Sequence, residues 1–323
     1  MMQRVGVLVE EQNGRVKDSV LGVISYLRQK DVACCAFVIS GPPGGHAEQL
    51  GAYGVHRIYA IEFQEEAQAC NPQSRARAVA EAMQAAGVKT LFGQTSPNGR
   101  NLLPRLAAWF DAPLVMDCTG VDLEAGTVST AAYSGKTEAL YRLRGEYLFF
   151  GMRPNHHPKV PSPASPEVVR FQAAPAAENT ITFLGKTATA DQGADLNEAK
   201  IIIAGGRGLK NGANFQILFD CARELEAAVG ASRVAVDEGW VPYTMQVGQT
   251  GIKVNPRVYI ACGISGSVQH FAGMKTAGLI IAVNTDPKAP MVNNADYYLI
   301  GDLFEIIPKL TEKLKARSPA AEN

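Results

Sequence analysis

The stretch YIACGISGSVQHFAGMK, Tyr259 to Lys275, brings together residues that could do chemistry. Gly263, Ser265, Gly266 and Ser267 form a turn between a short apolar run and a helix-like segment, and His270 stands in that segment's first turn. Such a turn exposes unpaired backbone N–H groups at a helix start, and their partial positive charge suits an anion. The pattern recurs nearby. GGRG places Arg207 just after an apolar run, between glycines that let backbone N–H groups approach closely, and SRVAVD places Ser232 and Arg233 beside another. Two arginines and a serine at the same end of one sheet suit a diphosphate. Any one of these turns read alone is equally well a tight strand-to-helix connection.

GISGSVQH is not G-x-G-x-x-G and lacks the G-K-[ST] ending of a P-loop, so neither a standard dinucleotide fingerprint nor a kinase-type site is supported. His270 is either an ordinary core or solvated histidine or a ring aimed at a ligand over the turn. A flavin would use it well, because its N1 and C2=O region gains negative charge on reduction and a donor there raises the potential. In QVGQTG, Gln249 and Thr250 add donors, while Gly248 and Gly251 permit close approach to a flat ring. Asn284 and Asp302 each follow a strand-like run, placed for a ribose or adenine edge. The sequence shows no nucleophile beside a base, paired catalytic carboxylates or metal-ligand cluster, which points to a cofactor holder rather than a hydrolase. A stand-alone nicotinamide dehydrogenase would need the missing fingerprint, and a nucleotide-binding signalling module leaves Arg207, Arg233 and His270 without a role.

The elements that would position these groups follow from periodicity. Residues 4–10 read as a strand, 17–30 as a helix and 32–40 as a buried strand. The cadence continues through 49–61, a helix at 74–87, a strand at 88–95 and a helix at 100–111. From about 152 to 180 it stops in a proline-rich stretch, a connector or irregular edge, where His156 and His157 are adjacent without a third metal ligand nearby. A second series then begins: a strand into a glycine turn at 199–211, a helix at 214–230, a short strand at 232–240, the strand RVYIAC, a helix over about 267–276, the strands LIIAVN and DYYLIG, and a closing helix from 302. The expected fold is α/β, two parallel-sheet Rossmann-like domains over 1–187 and 188–323, with ligands at the C-terminal strand ends of the second.

Lys plus Arg and Asp plus Glu each number 31 in 323 residues, so nothing in the charge draws the chain to nucleic acid. Apolar runs such as GLIIAV are far shorter than the roughly 20 residues of a membrane span, so no membrane insertion is expected. The opening MMQRVGVLVEEQNG shows no leader pattern, and a cytoplasmic location is expected. Six scattered cysteines without a C-x-x-C pair read as free thiols, Cys262 as a small core residue at a strand end.

The run from SRVAVDEGW through GISGSVQH to GDLFEIIPKLTEKL, with GGRG ahead of it, closely resembles the FAD-binding domain of electron transfer flavoprotein alpha subunits. LFGQTSPNGRNLLPRLAAWFDAPLVMDCTGVDLE and YSGKTEA resemble that family's N-terminal domain more loosely. The resemblance implies FAD in the second domain. It assigns contacts to Arg207, Ser232, Arg233, Val247, Gly248, Gln249, Thr250, Gly251, Ser265, Gly266, Ser267, Val268, Gln269, His270, Asn284, Asp302 and Leu303. Within that set Arg233 is implied to lie against the isoalloxazine, Thr250 near N5 and His270 near the C2 carbonyl. It also implies a heterodimer with a beta subunit, carrying electrons from flavoprotein dehydrogenases, such as acyl-CoA dehydrogenases, to a quinone oxidoreductase or another acceptor. The alternative within the family is an electron-bifurcating form that uses NADH and ferredoxin. Where the family often has RPAYGG and RPG.F, this chain has STAAYSGK and MRPNHHPKV, in regions implied to pack near the partner.

Overall fold

The computed structural model describes residues 4–39, 44–133, 137–174, 181, 183–185 and 195–317. These form two compact units, one from 4–132, 137–174, 181 and 183–185, the other from 133 and 195–317. The expected boundary at 187/188 and the SGK of YSGKTEA lie outside the described residues.

The first unit carries β1 (Val5–Val9), α1 (Asp18–Gln29), β2 (Cys34–Ile39), α2 (Gly44–Gly51), β3 (Arg57–Glu62), α3 (Pro72–Ala86), β4 (Thr90–Gln94) and α4 (Pro97–Trp109). Then follow β5 (Leu114–Asp122), β6 (Thr127–Ala132), β7 (Thr137–Arg142), β8 (Leu148–Met152) and β9 (Glu167–Gln172). The sheet order is β9-β3-β2-β1-β4-β8-β5-β6-β7. Strand alternation divides its core between two faces: Val5, Val7 and Val9 pack with Val20, Ile24 and Leu27 of α1, whereas Leu8 packs with Phe37, Leu91 and the buried side of α3 and α4. β5–β6 and β6–β7 pair antiparallel, an extension not expected from the sequence. The proline-rich stretch also contains a strand, since β9 runs parallel to β3 at the sheet edge, where prolines before it break no ladder. Within that stretch the ring of His157 stacks on Tyr26 at 3.9 Å.

The second unit comprises β10 (Ile201–Gly205), α5 (Gln216–Leu225), β11 (Ala228–Ala231), α6 (Arg233–Asp237), β12 (Val258–Cys262), α7 (Val268–Phe271), β13 (Leu279–Asn284), β14 (Tyr297–Ile300) and α8 (Leu303–Arg317). Its strands pair parallel throughout in the order β11-β10-β12-β13-β14. β14 is an edge strand whose four side chains are all exposed. Three expectations need correction. The helix expected over 214–230 stops at Leu225, because Glu226 turns to φ +50° and Ala228 to Ala231 join the sheet as a fully buried strand. Alanine's helix preference in EAAV yields to pairing with β10 and burial against α5 and the 243–245 turn. RVAVD, whose alternation suggests a strand, is instead the short helix α6, with Ala235 buried and Arg233 reaching Asp237 one turn later. α7 is also shorter than expected, four residues continued by turns.

Candidate functional site

The order β11-β10-β12-β13-β14 reverses chain direction across β10 and β12, and the crevice outside their C-terminal ends is where doubly wound sheets bind ligands. A cavity of about 740 Å³ lies there. Its walls are built by the segments that leave β10, β11, β12 and β13, by the 246–250 loop and by the start of α8.

Gly208 and Gly263 bring the walls after β10 and β12 together. A Cβ on Gly208 would stand 2.7 Å from the Gly263 Cα, and Gly263 itself has φ +61°, a conformation that favours glycine. Arg207 therefore leaves β10 on a loop seated directly against the turn after β12. Its guanidinium has no ion-pair or hydrogen-bond partner among the described residues. Arg233 meets Asp237 at 3.1 Å, a pair exposed on both sides and so weakly held. Ser232 precedes α6 in extended conformation, and its Oγ is buried with no hydrogen-bond partner.

The turn after β12 is pinned from behind. Asn284 Nδ2 donates to the Ile264 carbonyl at 2.9 Å, and Asn284 Oδ1 accepts from Asp286 N at 3.1 Å. Ser267 Oγ accepts from His270 N at 3.4 Å, so this hydroxyl caps α7. Four residues make a weak helix dipole, and the anion-binding power expected of this helix start shifts to the side chains around it. Thr250 Oγ1 accepts from Gln246 Nε2 at 3.1 Å, and Asp302 Oδ1 caps α8 through Phe304 N at 2.9 Å.

His270 is buried, and its Nε2 lies 3.0 Å from the Tyr259 hydroxyl. Burial lowers its pKa to about 4, against a smaller raising effect of the Val247 backbone, so the ring is neutral near pH 7. Nδ1 is buried without a hydrogen-bond partner.

Fourteen of the seventeen expected contact residues line this cavity, including Arg207, Ser232, Arg233, Thr250, His270 and Asn284. Gly251, Gly266 and Val268 do not. Gly251 lets the 246–252 loop close on the Gln246 carbonyl, Gly266 (φ +82°) lets the turn back against Met291, and the Val268 side chain is exposed. Sequence reasoning missed Lys210, Gln246, Asp286 and Phe304 among the lining residues. Lys210 Nζ sits 5.2 Å from the Phe304 ring centre, a pairing across 94 residues with no local signal. Gln246 was detectable as a polar residue opening the QVGQTG loop. Cys262 lies in the core, and burial pushes its thiol pKa up.

An elongated dinucleotide fits this donor set. An unpaired guanidinium and an unpaired hydroxyl among the lining residues match a diphosphate, and a neutral histidine with an unpaired nitrogen matches a polar ring edge. Comparison with known proteins then decides the family. Residues 5–176 match the electron transfer flavoprotein domain, and residues 195–275 match the electron transfer flavoprotein FAD-binding domain. The chain is 33% identical over 312 residues to the electron transfer flavoprotein subunit alpha of Syntrophomonas wolfei, covering 96% of this chain and 98% of that one. The chain belongs to the electron transfer flavoprotein alpha subunit family. The subunit alpha of Bacillus subtilis is 41% identical over 233 residues (70% of each chain), and that of Pseudomonas aeruginosa 40% over 220 residues (68% of this chain, 71% of that one). The cofactor of this alpha subunit is FAD, and its two matched domains fall on the two α/β units. No helix among the described residues is long and apolar enough to cross a membrane.

Proposed function

We propose that FAD lies along the second unit's cavity, with its diphosphate held by Arg207 and the Ser232 hydroxyl, and that the chain works as an electron carrier in complex with a beta subunit. In this reading residues 188–323 bind the cofactor and 1–187 pack against the partner. The observation that carries it is the coincidence, in one cavity at a sheet's switch point, of an unpaired guanidinium and an orphaned buried hydroxyl. Bound FAD supplies one- and two-electron redox chemistry. The chain's own residues bind and orient it: Arg207 and Ser232 hold the anionic middle, Asn284 fixes the turn beneath it, and Arg233 places a positive charge beside the ring. Neither Arg233 nor His270 needs to transfer a proton. Electrons would come from flavoprotein dehydrogenases, such as acyl-CoA dehydrogenases, and pass to a quinone oxidoreductase or a comparable acceptor, with the complex in the cytoplasm.

Co-expression with a beta subunit tests this. A yellow heterodimer reduced by an acyl-CoA dehydrogenase and its substrate is the expected result. A colourless chain, or a monomer that holds FAD fully and accepts electrons unaided, would overturn it.

A further inference from the structure

We propose that Tyr259 is a positioning residue for this site: its hydroxyl donates to His270 Nε2 and holds the ring's proton on Nδ1, so the cavity meets a hydrogen-bond donor at His270. The inference rests on the placement of FAD given above. Tyr259 is the second residue of β12, the central strand of the second sheet, with no exposed surface, so its ring has no room to swing away. Its hydroxyl is 3.0 Å from His270 Nε2, and the phenol has no other hydrogen-bond partner among the described residues.

A neutral imidazole has one donor nitrogen and one acceptor, and the hydrogen bond made by one nitrogen selects the state of the other. Both members of this pair are neutral, because burial lowers the histidine pKa to about 4 and raises that of the tyrosine. Two arrangements remain. If Nε2 carried the proton, the tyrosine oxygen would accept it; the phenol hydrogen would then have nothing to bond to and Nδ1 would be a bare, buried acceptor. If the phenol donates to Nε2, the phenol hydrogen and Nε2 satisfy each other, and one buried group rather than two is left unpaired: an Nδ1–H on a residue that lines the cavity. Buried polar groups are rarely left without partners, so the second arrangement is favoured. It supplies a donor, without net charge, beside the electron-rich edge of a bound ring. The strand, not the loop, then sets what the histidine offers.

Nitrogen-15 spectra of the histidine-labelled full chain, complexed with an unlabelled beta subunit, test this with FAD bound and after its removal. The chain has five histidines, and His270→Gln identifies the relevant signals by their loss. A protonated Nδ1 and an unprotonated Nε2 at neutral pH are expected in both states. In Tyr259→Phe the proton should move toward Nε2, and FAD binding should weaken roughly two- to tenfold, the worth of a neutral hydrogen bond. A proton on Nε2 in the wild-type chain overturns the inference, as does a Tyr259→Phe chain with unchanged tautomer or unchanged FAD affinity. If that variant does not fold, the wild-type spectrum still decides. Failure of FAD to depend on Arg207 would instead sink the cofactor placement, while the FAD-free spectrum would go on reporting on Tyr259.

Discussion

The C-terminal edges of the two sheets meet the same geometry with opposite outcomes. After β1, Glu10 is buried; the Ser96 hydroxyl donates to it at 2.5 Å and Lys17 Nζ lies 3.6 Å away. Burial pushes the Glu10 pKa up, with Ser96 and Lys17 opposing. Beyond β8, Arg153 binds Asp117 through two hydrogen bonds of 2.8 and 2.9 Å, and both residues are buried. In the second unit the corresponding edge keeps Arg207 unpaired and the Ser232 hydroxyl orphaned around a cavity. Charged groups at a sheet's switch point therefore do not by themselves mark a binding site. What distinguishes one is whether the chain has already satisfied them.

That contrast can be broken from either side. Arg153→Ala removes the ion-pair partner of a buried carboxylate, and should destabilise the first unit by about 3–5 kcal/mol; urea unfolding of the complex would read it. Arg207→Ala should leave unfolding within about 0.5 kcal/mol of wild type. It should instead weaken FAD binding by about 1.5–3 kcal/mol, roughly ten- to a hundredfold, in a flavin-fluorescence titration. Equal stability losses in the two variants would erase the distinction.

Acid should act on both units alike. His157 in the first and His270 in the second each have a pKa lowered by burial from 6.5 to about 4. Between those values the unfolded chain takes up a proton that the folded chain does not, so stability present above about pH 6.5 is lost as pH falls toward about 4. Urea midpoints measured across that window should decline with acid, and His157→Phe should flatten the first unit's share of the slope.

The smallest effect sharpens the second edge alone. Arg233→Ala should lower the flavin's potential by an amount on the order of tens of millivolts while FAD stays bound, and Arg233→Lys should recover part of it. Potentiometric titration of the complex with the wild-type value in both variants would reduce Arg233 to its contact with Asp237.

Much of this was legible before the structure. β10, β12 and β13 stand out because a strand buried on both faces is a continuous apolar run, and glycines at their ends mark where loops must come close. β11 did not stand out, since Ala-Val-Gly-Ala has no strand signature until its neighbours bury it. The antiparallel strands β5 to β7 were missed for a related reason: their exposure is uneven, with Cys118, Val121 and Val128 in the core but β7 almost wholly exposed, so no regular alternation marks them. At the site, donor types were readable, while Lys210 with Phe304 and Tyr259 with His270 are juxtapositions that only folding creates.

One last property belongs to β14. Tyr297 to Ile300 is a run of four bulky apolar residues on a sheet margin, with one row of backbone groups left unladdered. Such a margin adheres to other chains. Its brevity limits the hazard, because fibril-forming segments run to about six or seven residues, and Asp296 on one side and Gly301 with Asp302 on the other end this one sooner. The unit can thus be sticky in a crowded expression host and still resist the templated stacking that makes aggregation irreversible.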